Sequence, residues 1–131
     1  MTAGRRCLDV TFAALKRHAV AREPSLRLVR LVPCAEADRE HAASARQFMH
    51  VGHRRNVVCF ARATEALDFP WQVGLVAHEL GHLAAIGWGL ADHYEEDANR
   101  IGGDLCGVTV TFAGPLRLER AEPPAYLRAY A

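Results

Sequence analysis

The pentapeptide His78-Glu79-Leu80-Gly81-His82 sits inside a stretch, residues 70–86, whose apolar spacing is helical. Residues four apart on a helix share a face, so His78 and His82 can offer imidazole nitrogens to one metal ion. Glu79 stands one residue beyond the first histidine. There a carboxylate can take the proton of a water held at that ion without occupying a ligand position. Val73, Val76, Ala77, Leu80, Leu83, Ala84 and Gly87 form the opposite, apolar face. A helix of this kind needs a core on one side and a cleft on the other, and the rest of the chain must supply both.

The chain has 131 residues, half of them apolar, which is enough for one core and sets the expectation of a single domain over residues 1–131. Its 16 basic and 15 acidic residues give a net charge of +1, so bulk charge points to neither nucleic acid nor an anionic membrane. The first ten residues lack an uninterrupted apolar run, and no stretch of about 18 apolar residues occurs anywhere. A soluble cytoplasmic protein is expected. Cys7, Cys34, Cys59 and Cys106 are scattered with no C-x-x-C pair, which predicts reduced thiols packed as small hydrophobes and no zinc ribbon.

Leu8, Phe12, Leu15 and Ala19 make a helical stripe from about Leu8 to Arg22, ended by Glu23-Pro24. The run from Leu26 to Val32 alternates as a strand, residues 35 to about 48 favour helix, and Asn56 to Arg62 reads as a second strand. Phe69-Pro70 opens the motif helix with proline in its first turn, and Gly87-Trp88-Gly89 closes it. A short helix follows from Asp92 to about Leu105, halted by Gly107. Val108 to Phe112 and Leu116 to Leu118 read as strands about Gly114-Pro115, in a hairpin, before an irregular tail at Pro123-Pro124. The expected architecture is α+β: a small twisted sheet backed by helices, with the motif helix beneath its edge.

A catalytic zinc site takes three protein ligands and leaves a position open for water. The extension H-E-x-x-H-x-x-G-x-x-H fails, because Ala85 replaces its glycine and Trp88 its third histidine. Five candidates crowd the next helix: Asp92, His93, Glu95, Glu96 and Asp97. Asp92-His93-Tyr94-Glu95 also matches a capping box, which would engage Glu95 elsewhere and leaves Asp97 and His93 as rivals.

Together with Glu95-Glu96-Asp97-Ala98-Asn99, the motif resembles the gluzincins, above all the minigluzincins and the ImmA/IrrE-type peptidases. The same pattern occurs in the membrane-embedded CAAX prenyl protease group. The likeness spans roughly residues 70 to 105, about a quarter of the chain. It implies a zincin-like domain with one zinc ion per chain, His78, His82 and Glu95 as ligands, Glu79 as general base, and Asn99 as the polar partner of a ligand histidine. Asp97, Ile101 and Gly102 depart from the family's Glu, Phe and Ala.

The activity so implied is peptide-bond hydrolysis by an activated water, on a peptide or protein substrate, a regulatory protein among them, with neither nucleic acid nor membrane as partner. An extended peptide would add to a sheet edge, with Val57 to Phe60 as template. His50, His53, His93, Tyr94, Tyr126 and Tyr130 are the candidates for stabilising the oxyanion. His50 and His53 otherwise read as exposed loop residues. The competing functions are a zinc hydrolase of a non-peptide amide or ester, and a non-catalytic zinc-binding scaffold or interaction module.

Overall fold

The computed structural model describes residues 2–51, 56–90 and 92–128, and His53 and Tyr130 lie outside them. Helix α1, Ala3–Val20, starts where the Thr2 hydroxyl accepts the Arg5 N–H at 3.0 Å. Its expected stripe of Leu8, Phe12, Leu15 and Ala19 is buried. The strand expected over Leu26 to Val32 is shorter, because Pro24–Leu28 forms a tight helical turn and strand β1 covers only Arg30–Pro33. Proline at the start of that turn fixes the backbone angle a helical turn needs. Helix α2, Ala35–Ala43, stops before residue 48 and gives way to β2, Met49–Val51, a strand too short to carry a readable alternation. Strand β3, Val57–Phe60, lies within the expected Asn56 to Arg62.

The sheet has the order β1-β3-β2, with β1 parallel and β2 antiparallel to β3. The expected template, Val57 to Phe60, is therefore the central strand. Its backbone groups are engaged on both sides, and an added strand has no place there. The edge beside it is β2. Val58 and Phe60 face the core, as period-two alternation requires.

Helix α3, Phe69–Gly87, carries the motif, with proline in its first turn. It is buried on all sides from Gln72 to Gly81, enclosed by α1, β2 and two later elements, and is not confined to the underside of a sheet edge. Gly87, expected on its apolar face, is exposed at its end. Burying a side chain such as Leu80 contributes roughly 1.5–3 kcal/mol, so this helix is the centre of the core. Helix α4, Glu95–Cys106, ends at Gly107 with φ of 68°. Strands β4, Thr111–Ala113, and β5, Leu118–Arg120, form the expected hairpin, shorter than the sequence suggests. The tail is not wholly irregular, since α5 covers Ala125–Arg128. The fold is α+β, and among the described residues no helix is long and apolar enough to cross a membrane.

Candidate metal centre

Helices α3 and α4 pack at backbone contact, and this sets the positions of the ligand candidates. A Cβ on Gly102 would lie 1.9 Å from the Ala77 carbonyl oxygen, and one on Gly81 would lie 2.1 Å from that of Ala98. Two facing glycines let the helices cross this closely. The first turn of α4 is thereby brought over the histidine face of α3.

Glu95 stands in that turn. Its Oε2 lies 2.6 Å from His78 Nε2 and 3.0 Å from His82 Nε2, and the two nitrogens are 3.0 Å apart. The neighbouring residues have contacts of their own. Asp92 does not cap the helix: the cap residue is Tyr94, whose N–H donates to Asp97 Oδ2 at 2.9 Å. Asp97 therefore fills the capping role considered for Glu95, and the Glu95 carboxylate is free. His93 is not among the converging atoms either. Its Nε2 lies 2.6 Å from His82 Nδ1, and its own Nδ1 lies 2.6 Å from the Leu90 carbonyl oxygen.

Those contacts fix the tautomers. A carbonyl only accepts, so His93 carries its proton on Nδ1 and accepts at Nε2 from His82 Nδ1–H. His82 Nε2 is then left with a lone pair. On the other side, His78 Nδ1 donates to Asn99 Oδ1 at 2.6 Å, which leaves a lone pair on His78 Nε2 as well. Asn99 is buried and stands beside His78, one of the two histidines expected as ligands. Two imidazole lone pairs and a carboxylate oxygen thus converge on one point. Such a set repels itself unless a cation lies between its members, and a proton or a metal ion can serve.

Imidazole nitrogens about 2.0–2.1 Å from zinc in tetrahedral array would stand about 3.3 Å apart. The two histidine nitrogens, 3.0 Å apart, are near that spacing, whereas Glu95 Oε2, 2.6 Å from His78 Nε2, is at hydrogen-bond distance and would draw back by about 0.7 Å to admit an ion. His78, His82 and Glu95 have the donor types zinc takes, and both histidines have their second nitrogen held, as metal-binding histidines usually do.

The electrostatics have the same centre. Burial alone would lower the pKa of His78, but its hydrogen bond to Glu95, the charges of Glu79 and Glu119 and the Asn99 contact outweigh it and raise the value to about 9. A proton on His78 is thereby favoured where no ion is bound. His82 is pushed down by burial and by the neighbouring His78 charge. The His78 hydrogen bond, opposed by burial and aided by His82, holds Glu95 down at about 2. Burial raises Glu79 to about 8 against the pull of His78, with Glu119 and Glu95 adding to the rise.

A groove of about 490 Å³ opens over the centre, bordered by the β2 edge on one side and the β4–β5 hairpin on the other. Glu79 lines it, although the residue is almost wholly buried. Two groove residues were missed from sequence. Glu119 on β5 places Oε1 3.6 Å from His78 Nε2, and Arg117 stands with its guanidinium 5.8 Å from the Phe112 ring centre. Only their place in a hairpin was readable, since the pairing that turns it toward α3 is tertiary. Of the oxyanion candidates, Tyr126 is remote, stacked on His18 and donating to the Cys106 carbonyl. Tyr94 caps α4 and is exposed, and His93 is engaged with His82. His50 is a half-buried residue of β2, not an exposed loop histidine, and its Nδ1 meets Glu40 Oε2 at 3.1 Å.

No family model matches this chain, and no curated protein or solved structure does either.

Proposed function

We propose that this protein is a zinc-dependent metallopeptidase with a zincin-like domain of gluzincin type, in which His78, His82 and Glu95 hold one zinc ion and Glu79 is the general base. The observation that carries this proposal is the convergence of three lone-pair donors, each histidine oriented through its far nitrogen, beside a buried carboxyl that is not among them. Bound zinc would polarise a substrate carbonyl and lower the pKa of water toward neutrality.

Glu79 accepts the proton of the attacking water and returns it to the leaving amine. Burial raises the Glu79 carboxyl above the ordinary carboxylate range, with Glu119 and Glu95 adding to the rise, and a carboxylate so raised is the stronger base once ionised. A base has no use in a module that only binds metal, which weighs against the scaffold alternative. The β2 edge along the groove supports a peptide as substrate, since an extended chain can pair with its free backbone groups. Arg46 and Arg117 both line the groove and are cations available to an oxyanion there.

The test pairs metal content with turnover of an unfolded protein. His78→Ala/His82→Ala should lose the zinc of this centre and all activity. Glu79→Gln should keep that zinc and the fold but lose turnover by about 100-fold or more, the scale of general-base catalysis. Unchanged turnover in Glu79→Gln would exclude the mechanism, and zinc-loaded protein that cleaves no peptide would exclude the peptidase.

A further inference from the structure

Sequence spacing gives no metal motif among the cysteines, yet the sheet brings two of them together. Cys59 on β3 is the direct cross-strand partner of His50 on β2 and pairs in register with Val32 on β1. Cys34 lies two residues beyond Val32, on the same side of the sheet by period-two alternation. This is the face away from Val58 and Phe60, and α2 lies over it. The sulfur atoms of Cys34 and Cys59 and a ring nitrogen of His50 lie within 4.8 Å of one another. All three residues are half-buried, and both cysteines are free thiols.

Two carboxylates reach the same place from α2. Glu36 and Glu40 are one helical turn apart, and their oxygens lie within 4.8 Å of each other and of the His50 ring. Burial, then the Cys34 thiol, then the charges of Glu36 and Glu40 push the Cys59 thiol up to about 12 while no ion is bound. Among the described residues, neither is paired with a lysine or an arginine. A helix usually covers a strand face with apolar side chains. Here the layer holds two sulfurs, an imidazole and two carboxylates.

We propose that Cys34, His50 and Cys59 form a second zinc site, distinct from the His78–His82–Glu95 centre and completed by a carboxylate of α2. Thiolate and imidazole donors select zinc over magnesium or calcium, and four protein ligands make a closed, structural site. Its ligands come from β2, β3, α2 and Cys34, the residue that joins β1 to α2. An ion there ties the edge strand β2, which borders the groove, to the rest of the sheet.

The full-length His78→Ala/His82→Ala variant isolates this site. It should retain one zinc per chain, which Cys34→Ser/Cys59→Ser in the same background removes. Cobalt loaded in place of zinc should give a thiolate-to-cobalt charge-transfer band in the near ultraviolet, absent in the serine variant. The His78–His82–Glu95 centre has no sulfur and cannot produce that band. Should the serine variant fail to fold, the wild-type protein still decides the matter: two thiols should resist alkylation until a chelator is added. A Cys34–Cys59 disulfide, seen as a mass two hydrogens lighter without reductant, would overturn the site. So would cobalt-loaded protein without the band, or alkylation unaffected by chelation. Failure of the peptidase centre would look different: zinc and band would persist while His78→Ala/His82→Ala changed no metal content.

Discussion

Asp97 and Glu95 are two residues apart in the same helical turn, and their separate contacts decide what each does. Asp97 accepts the Tyr94 N–H and so caps α4, whereas the Glu95 oxygen faces both His78 and His82. Asp97→Ala should therefore cost stability on the scale of a lost cap, ~0.5–2 kcal/mol, with little loss of zinc from the histidine centre. Glu95→Ala should lose most of that zinc, because it removes one of the three proposed ligands. Denaturant unfolding and chelator competition on both variants separate the two. Zinc stripped by Asp97→Ala and kept by Glu95→Ala would reverse the assignment. His93 is a subtler case. It met the sequence criteria for a ligand, but its ring orients His82 through Nδ1. His93→Ala should keep the centre and weaken its zinc by about 10–100-fold, the usual effect of losing such an orienting partner.

At the scale of elements, the α3–α4 crossing depends on Gly81 and Gly102. Gly102 was noted in the sequence only as a departure from the family's alanine. Its meaning here comes from the Ala77 carbonyl 1.9 Å from where a Cβ would stand. Gly102→Ala should destabilise the fold by about 1–3 kcal/mol, the range for overpacking, and weaken zinc binding as α4 carries Glu95 away from the histidines. Gly87→Ala meets nothing within 4 Å and should be neutral or stabilising by up to about 1 kcal/mol. Thermal melts with and without chelator on both variants test this, and equal effects would show that the crossing is not tight. The helices α1 and α3 were legible because long apolar stripes survive any tertiary arrangement. The histidine pair and Glu79 were legible because their spacing is local to one helix. Strand β2 was not, having three residues and no room for alternation. Without it, β3 looked like an edge, and the contact between Cys34 and Cys59 was invisible, since it depends on strand order.

For the whole molecule, the charges gathered at the histidine centre make stability depend on both pH and metal. In the metal-free protein His78 titrates at about 9 against an ordinary 6.5. The folded state thus binds the extra proton, and the stability it contributes is complete below pH 6.5 and disappears as pH rises through 9. Glu79, raised from 4.5 to about 8, acts in the same direction, because its buried carboxyl must lose a proton that the unfolded chain has already lost. Glu95 governs the acid side: lowered to about 2 from 4.5, it contributes stability above 4.5 that is lost as pH falls through 2. Zinc requires the deprotonated ligands, so its binding displaces the His78 proton and strengthens as pH rises. Metal-free protein should therefore lose melting temperature between pH 6.5 and 9, while the increment added by zinc grows over the same interval. Cys34→Ser/Cys59→Ser is the background for this measurement, since the thiolate site would add a pH dependence of the same sign. Calorimetry in two buffers of different ionisation enthalpy should register proton release on zinc binding near neutral pH. A zinc increment that is constant or shrinks toward pH 9, with no proton released, would mean that no ion binds where the three donors meet.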